Sequence, residues 1–268
     1  MQIQRLGHSM FRIVTDQGYI IAVDPWIKGN PSCVKEWQEI DRWVDTDLVL
    51  CTHAHFDHAL DLETVLDVND HVQGIVHFEH FMQAFAGRRN NVVALNFGGT
   101  ASFGDVTITL VPANHTSSYG EGEGYRLAGI GSGFVVRQDN GLTLYISGDT
   151  GFLTEMKTLI GDFYKPDVAT LSIGGVFCMG YAEAAYAASL IAAPYAIPCE
   201  WFPKMEEVPD PQGLRGMLEV FPMVRQMIDR GKDFAREMER YPKIRPLVLN
   251  LGDSFTVPKG YQPRSRQG

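Results

Sequence analysis

The segment His53-Ala54-His55-Phe56-Asp57-His58 puts three imidazoles and a carboxylate within six positions. Neutral imidazole nitrogens and carboxylate oxygens are the usual donors to zinc and related divalent ions. His53 and His55 alternate, so an extended chain projects both to one side. Asp57 and His58 follow where the backbone turns towards a helix. The run Leu48-Val49-Leu50-Cys51 just before them is continuously apolar, as expected of a strand buried on both faces. A buried strand that ends in a donor-rich turn is suited to holding a metal ion. The alternative, a solvated loop that is His-rich by chance, is a poor match for a chain with eight histidines in 268 residues.

Other chemistry-bearing segments lie along the chain. Asp24-Pro25 follows an apolar strand, Asn114-His115 follows the β-rich Thr107–Val111, and Ser147-Gly148-Asp149-Thr150-Gly151 follows Leu142–Ile146. Together with the His-rich segment these resemble, in order, the motifs of the metallo-β-lactamase superfamily. Leu6-Gly7-His8-Ser9, Asp24-Pro25-Trp26, Gly148-Asp149-Thr150-Gly151-Phe152 and Ile173-Gly174-Gly175-Val176-Phe177-Cys178-Met179 are similar to its predicted metal-dependent hydrolase branch. Ascorbate-6-phosphate lactonases and the N-acyl-phosphatidylethanolamine phospholipase D group are relatives of that branch. The resemblance spans most of residues 1–200 and resumes near Leu247–Val257.

The resemblance implies an α/β fold, the αββα sandwich, in which two mixed β-sheets carry helices on their outer faces. It also implies two divalent metal ions, with zinc expected and manganese or iron as alternatives. A metal-bound hydroxide would then attack an ester, lactone or phosphodiester bond of a small-molecule substrate. Carried over by position, His53, His55 and His115 would ligate the first ion, Asp57 and His58 the second, and Asp149 would bridge them. Asp57 is also the candidate catalytic residue, holding or receiving the nucleophile's proton. Asp24 would accept a ring N–H from a ligand histidine, and His8 would line the substrate cleft or serve as a structural histidine. One position departs from the pattern: relatives supply a final histidine after a strand like Ile197-Pro198-Cys199, whereas this chain has Glu200. Glu200 would ligate the second ion directly, act through a water or a neighbouring ligand, or leave that site weak.

Composition bounds the alternatives. The net charge is −9 and the isoelectric point about 5.3, with no basic run, which argues against a ribonuclease Z-like nuclease and against nucleic-acid partners. A diiron redox role would need an electron-transfer partner, and a metal-binding sensor or scaffold without hydrolytic activity stays open through Glu200. Four widely spaced cysteines without a C-x-x-C pair suit reduced thiols. No secretory pattern begins the chain and no apolar run reaches the roughly 20 residues of a membrane span. A cytoplasmic protein with no membrane attachment is expected, and homo-oligomerisation is left open.

The elements that must position these groups read as strands and helices twice over. Strands are expected at Met10–Val14, Tyr19–Val23, Leu48–Cys51, Gly74–His77, Val92–Leu95, Thr107–Val111, Gly133–Arg137, Leu142–Ile146, Val168–Ser172, Tyr195–Cys199 and Leu247–Leu251. Helices are expected at Leu60–Val68, Leu153–Ile160, Ala182–Ala192 and, from apolar residues at helical spacing, Met217–Arg240. One domain, 1–268, is expected, with 202–245 as a family-variable insertion carrying that amphipathic helix. Tyr119–Gly124 reads as a mobile loop near the site, the segment after Pro258 as a loosely held tail, and His71, His77 and His80 as surface or packing residues. Trp26 and Trp201 adjoin motif positions and are candidates to wall the pocket.

Overall fold

A computed structural model describes residues 1–120 and 122–264. In chain order the first half gives β1 (Gln2–Arg5), β2 (Phe11–Val14), β3 (Ile20–Val23), β4 (Leu48–Leu50), α1 (Phe56–Ala59), α2 (Leu62–Leu66), β5 (Gln73–His77), α3 (Phe78–Ala84) and β6 (Val92–Leu95). There follow β7 (Thr100–Phe103), β8 (Val106–Tyr119), β9 (Arg126–Gln138), β10 (Thr143–Ile146), β11 (Val168–Ser172), α4 (Tyr181–Ile191), β12 (Tyr195–Cys199), α5 (Pro211–Val220), α6 (Gly231–Met238), β13 (Arg245–Pro246) and β14 (Ser254–Thr256). They form two seven-stranded mixed sheets, β14-β1-β2-β3-β4-β5-β6 and β13-β12-β11-β10-β9-β8-β7. Both have the same succession, three antiparallel pairings and then three parallel ones.

The αββα layering follows from the alternation of side chains along each strand. Ile21, Val23, Leu48 and Leu50 face the second sheet, meeting Leu110, Phe134, Leu144 and Ile197 in the central core. Ala22 and Val49 face outward onto Leu62, Val65 and Leu66 of α2. That double coverage is why Leu48-Val49-Leu50 carries no polar residue; each fully buried side chain contributes about 1.5–3 kcal/mol. On the other outer face, Ala184, Ala187 and Ala188 of α4 and Phe234 and Met238 of α6 cover Ala169 and Leu171.

Several expectations need correction. The helix expected over 217–240 is broken: α5 ends at Val220, a short 3-10 segment Pro222–Met227 follows, and α6 starts at Gly231. Pro222 has no N–H to donate and excludes helical backbone at Phe221. The helix expected over 60–68 is confined to α2, Leu62–Leu66; α1 is a separate turn before it, and between the two the Asp61 carboxylate accepts the N–H groups of Ile27 and Lys28. The helix expected from Leu153 lies at Met156–Tyr164 and is wound as a π-helix.

Leu247–Leu251 forms no strand; β13 is confined to Arg245–Pro246, and Asn250 turns onto the Asp253 carboxylate. The strands near Thr107–Val111 and Gly133–Arg137 extend to 14 and 13 residues, pairing through Tyr119 and Arg126 across irregular register. The segment after Pro258 is held as far as it is described, since the Tyr261 hydroxyl and the Arg264 N–H both donate to Asp167 Oδ1, at 2.9 and 2.8 Å. Residues 265–268 lie outside the described residues, as does Glu121 of the expected loop.

Candidate metal centre

The candidate ligands lie just past strand ends, in a break in one strand and on the short helix α1. β4 delivers Thr52 and His53, α1 carries Asp57 and His58, the irregular stretch of β8 holds His115, β10 leads to Asp149, and β12 leads to Glu200. Asp24, directly after β3, fastens the His-rich turn. It accepts the Thr52 N–H at 2.7 Å, the Thr52 hydroxyl at 2.8 Å and the His58 Nδ1–H at 2.9 Å. With Nδ1 directed at Asp24, His58 presents Nε2 to the site.

The Asn114 N–H donates to Thr150 Oγ1, and the Gly151 N–H to the Asn114 carbonyl, at 2.9 and 3.1 Å. These bonds tie the His115 and Asp149 segments together. Gly148 must be glycine: its φ is +58°, and a Cβ there would lie 2.5 Å from the Ser132 carbonyl oxygen.

Two groups of donors converge. In the first, His53 Nε2 lies 3.0 Å from His55 Nδ1, and His115 Nε2 lies 3.1 Å from the same atom. In the second, His58 Nε2 is ringed by Asp149 Oδ1 at 3.6 Å, Glu200 Oε2 at 3.6 Å and Asp57 Oδ2 at 3.9 Å. Asp149 also reaches the first group, with Oδ2 3.9 Å from His115 Nε2. His58 Nε2 and Asp149 Oδ1 are buried and have no hydrogen-bond partner among the described residues.

Burial first, then the neighbouring histidines, hold His53 well below the usual imidazole range. Burial and His115 bring His55 down to about 4. His53 and His55 are thus held as neutral imidazoles, the form that binds metal. Burial opposes charge on His58, but Asp149, Asp24 and Asp57 outweigh it and raise the imidazole.

The three carboxylates of the second group diverge. Burial, with Glu200 and Asp149 acting against His58, pushes Asp57 up to about 6. Burial and Glu200 raise Asp149. Burial would raise Glu200 too, but His8, His58 and Ser9 bring it down to about 2.

These groups fit divalent cations. Nitrogens held 2.0–2.1 Å from a tetrahedral ion stand about 3.3 Å apart, close to the spacings among His53, His55 and His115. The buried Asp149 and Glu200 and the part-buried Asp57 surround a His58 nitrogen that no donor or acceptor satisfies among the described residues, a set of oxygens and nitrogen that a divalent cation would complete. Donor atoms also cluster within 4.8 Å of one another in His53–His58–Asp149 and in His8–Asp57–Glu200.

Glu200 itself is fully buried and adopts a left-handed backbone, φ +61°. Its Oε1 accepts the His8 Nε2–H at 2.7 Å and its Oε2 accepts the Ser9 hydroxyl. His8 lies in the β1–β2 connection, stacked on Phe202 with ring centroids 4.2 Å apart. Ser9 stands in the Leu6–Ser9 segment without a role assigned from sequence, and His80, expected as a surface or packing residue, lies at the cavity with burial and His77 bringing it down to about 4. His77 caps α3, accepting the Glu79 N–H, and His71 is exposed. Trp26 walls the cavity, whereas Trp201 is buried in the outer core beneath the Arg5 guanidinium. The centre opens into a cavity of about 1160 Å³.

A β-lactamase superfamily domain model matches residues 2–200. A UPF0173 metal-dependent hydrolase of Methanobrevibacter smithii is 36% identical over 263 residues, covering 98% of this chain and 100% of that protein. Another, from Methanosphaera stadtmanae, is 37% identical over 211 residues, 77% of this chain and 87% of the other. Among solved structures, Igni18, a metallo hydrolase from Ignicoccus hospitalis, has a TM-score of 0.72 at 25% identity, covering 96% of this chain and 99% of that one. The metallo-β-lactamase fold protein YhfI from Bacillus subtilis, 12% identical with a TM-score of 0.65 over 95% of this chain and 98% of its own, shares the fold. The chain belongs to the β-lactamase superfamily and, within it, to the family of these UPF0173 metal-dependent hydrolases.

Proposed function

We propose that the protein hydrolyses an ester, lactone or phosphodiester bond with two divalent cations, zinc first among the candidates. The observation that carries this reading is the pairing of a three-imidazole cluster with a carboxylate-ringed His58, both at the base of one cavity. His53, His55 and His115 would hold one ion, and Asp57, His58 and Glu200 the other, with Asp149 between them. When bound, such ions lower the pKa of water and polarise the scissile bond.

The chain's own groups supply orientation and proton handling. Asp24 fixes the His58 ring through Nδ1, and Thr52 ties Asp24 to the turn. His8 and Ser9 hold the two oxygens of Glu200. Asp57, part-exposed and lining the cavity, is the carboxylate best placed to hold or receive the proton of the nucleophile.

The names of the metal-dependent hydrolase relatives support the class of reaction, and the acidic balance of the chain favours a small substrate over nucleic acid. The test is metal analysis of the purified protein alongside turnover of p-nitrophenyl esters, simple lactones and bis(p-nitrophenyl) phosphate. Turnover that disappears with chelation and in His55→Ala is the expected result. Full turnover by the metal-free protein would overturn the proposal.

A further inference from the structure

The cavity above the centre is large against the roughly 300–1,000 Å³ usual for small-molecule sites, and most of its wall is apolar. Three separate parts of the chain build that wall. Trp26 and Phe56 flank the His-rich turn, Tyr125 and Ile130 come from the β8–β9 arms, and Met217 and Phe221 come from α5 and its end. The apolar character continues to the mouth: Phe56, Tyr125, Ile130 and Phe221 are 48%, 52%, 49% and 39% exposed. Apolar side chains left partly in water around a concave site mark a surface that gains by being covered.

Charge points the same way. Among the described lining residues Arg88 is the one Lys or Arg, and it is already engaged, Nη1 donating to the Ala84 carbonyl at 2.7 Å and Nη2 standing 3.8 Å from Glu63. Of the carboxylates that line the space, Asp57, Asp149 and Glu200 belong to the proposed centre, whose cations would offset them, and Glu63 adds a negative charge outside it. A polyanionic substrate would find no free cationic side chain among these residues, whereas an uncharged apolar group would find a wall that matches it.

We infer that the substrate is a neutral ester or lactone bearing a bulky apolar group, a medium-length acyl chain or an aryl-alkyl group, which fills the cavity between the β8–β9 arms and α5. This rests on the hydrolase reading above and narrows it. Each methylene buried on the way to the transition state is expected to raise kcat/KM about fourfold at full burial.

The experiment uses the metal-loaded protein and p-nitrophenyl esters from acetate to decanoate. It is paired with calorimetric binding of hexanamide and decanamide, neutral amides whose affinity reads the cavity without turnover. Expected are a kcat/KM rise of at least about tenfold from acetate to octanoate, tighter binding of decanamide than of hexanamide, and flattening of both trends in Ile130→Asp and Phe221→Ser. Both substituted positions are exposed, and a thermal melt of each variant checks that it folds. Turnover with a flat or falling chain-length series and no length-dependent amide binding would overturn this inference and leave the hydrolase reading standing. So would a steep series that neither variant alters. Length-dependent amide binding without turnover of any ester would support the apolar occupant and overturn the hydrolase reading instead.

Discussion

Glu200 concentrates several costs in one residue. A non-glycine residue in the left-handed region costs on the order of 1–3 kcal/mol, and burying a carboxylate without partners costs more. Asp24, at φ +49°, also follows a strand end, but a short side chain tolerates that backbone better than Glu does. The Glu200 carboxylate is held by His8 and Ser9 while one oxygen stays 3.6 Å from His58 Nε2. An arrangement that accepts strain and buried charge to bring an oxygen to an orphaned nitrogen is suited to a cation between them. Glu200→Gln keeps the shape and removes the charge, so metal per chain is expected to fall by about one ion, read by mass spectrometry of the purified protein. Unchanged occupancy would remove Glu200 from the ligand set. The His-rich turn was legible because its groups are adjacent in sequence. Ser9 and His80 were not, because their roles depend on elements more than a hundred positions away or on a cavity that only the fold creates.

At the scale of elements, short buried strands were legible and polar ones were not. Tyr195–Cys199 and Val168–Ser172 are mostly apolar and, Tyr195 apart, fully buried, and they form where their composition places them. The strand expected at Thr107–Val111 stops short of Asn114-His115-Thr116-Ser117-Ser118, yet β8 continues through that segment because β9 pairs with it as far as Tyr119. No local pattern announces a partner strand. Pro222 is a legible breaker that helical spacing of the surrounding apolar residues outweighed in the reading of 217–240. The joint between β10 and Asp149 depends on Gly148, where a methyl group would meet the Ser132 carbonyl and Thr52. Gly148→Ala is therefore expected to cost at least about 2 kcal/mol. Its Tm would drop by about 4–8 °C in a thermal melt, and an unchanged Tm would show that the turn relaxes freely.

For the whole molecule the balance of charge matters more than any one pair. With a net charge of −9 and Arg88 already engaged, the protein repels anions on approach. Hydrolysis of the anionic bis(p-nitrophenyl) phosphate is expected to speed up as salt rises from about 0.01 to 0.1 M, over which the Debye length shortens from about 30 to 10 Å. A neutral ester should show no such dependence, and equal salt responses would count against electrostatic exclusion. The pairing of β1 with β14 has a consequence during synthesis. Gln2 and Ser254, joined side chain to side chain, stand 252 positions apart. At about 5–20 residues per second a ribosome takes roughly 10–50 s to make the distance between them. Throughout that interval the outer edge of β1 has no strand to pair with, so a nascent chain is open to pairing with another copy until its last strand emerges.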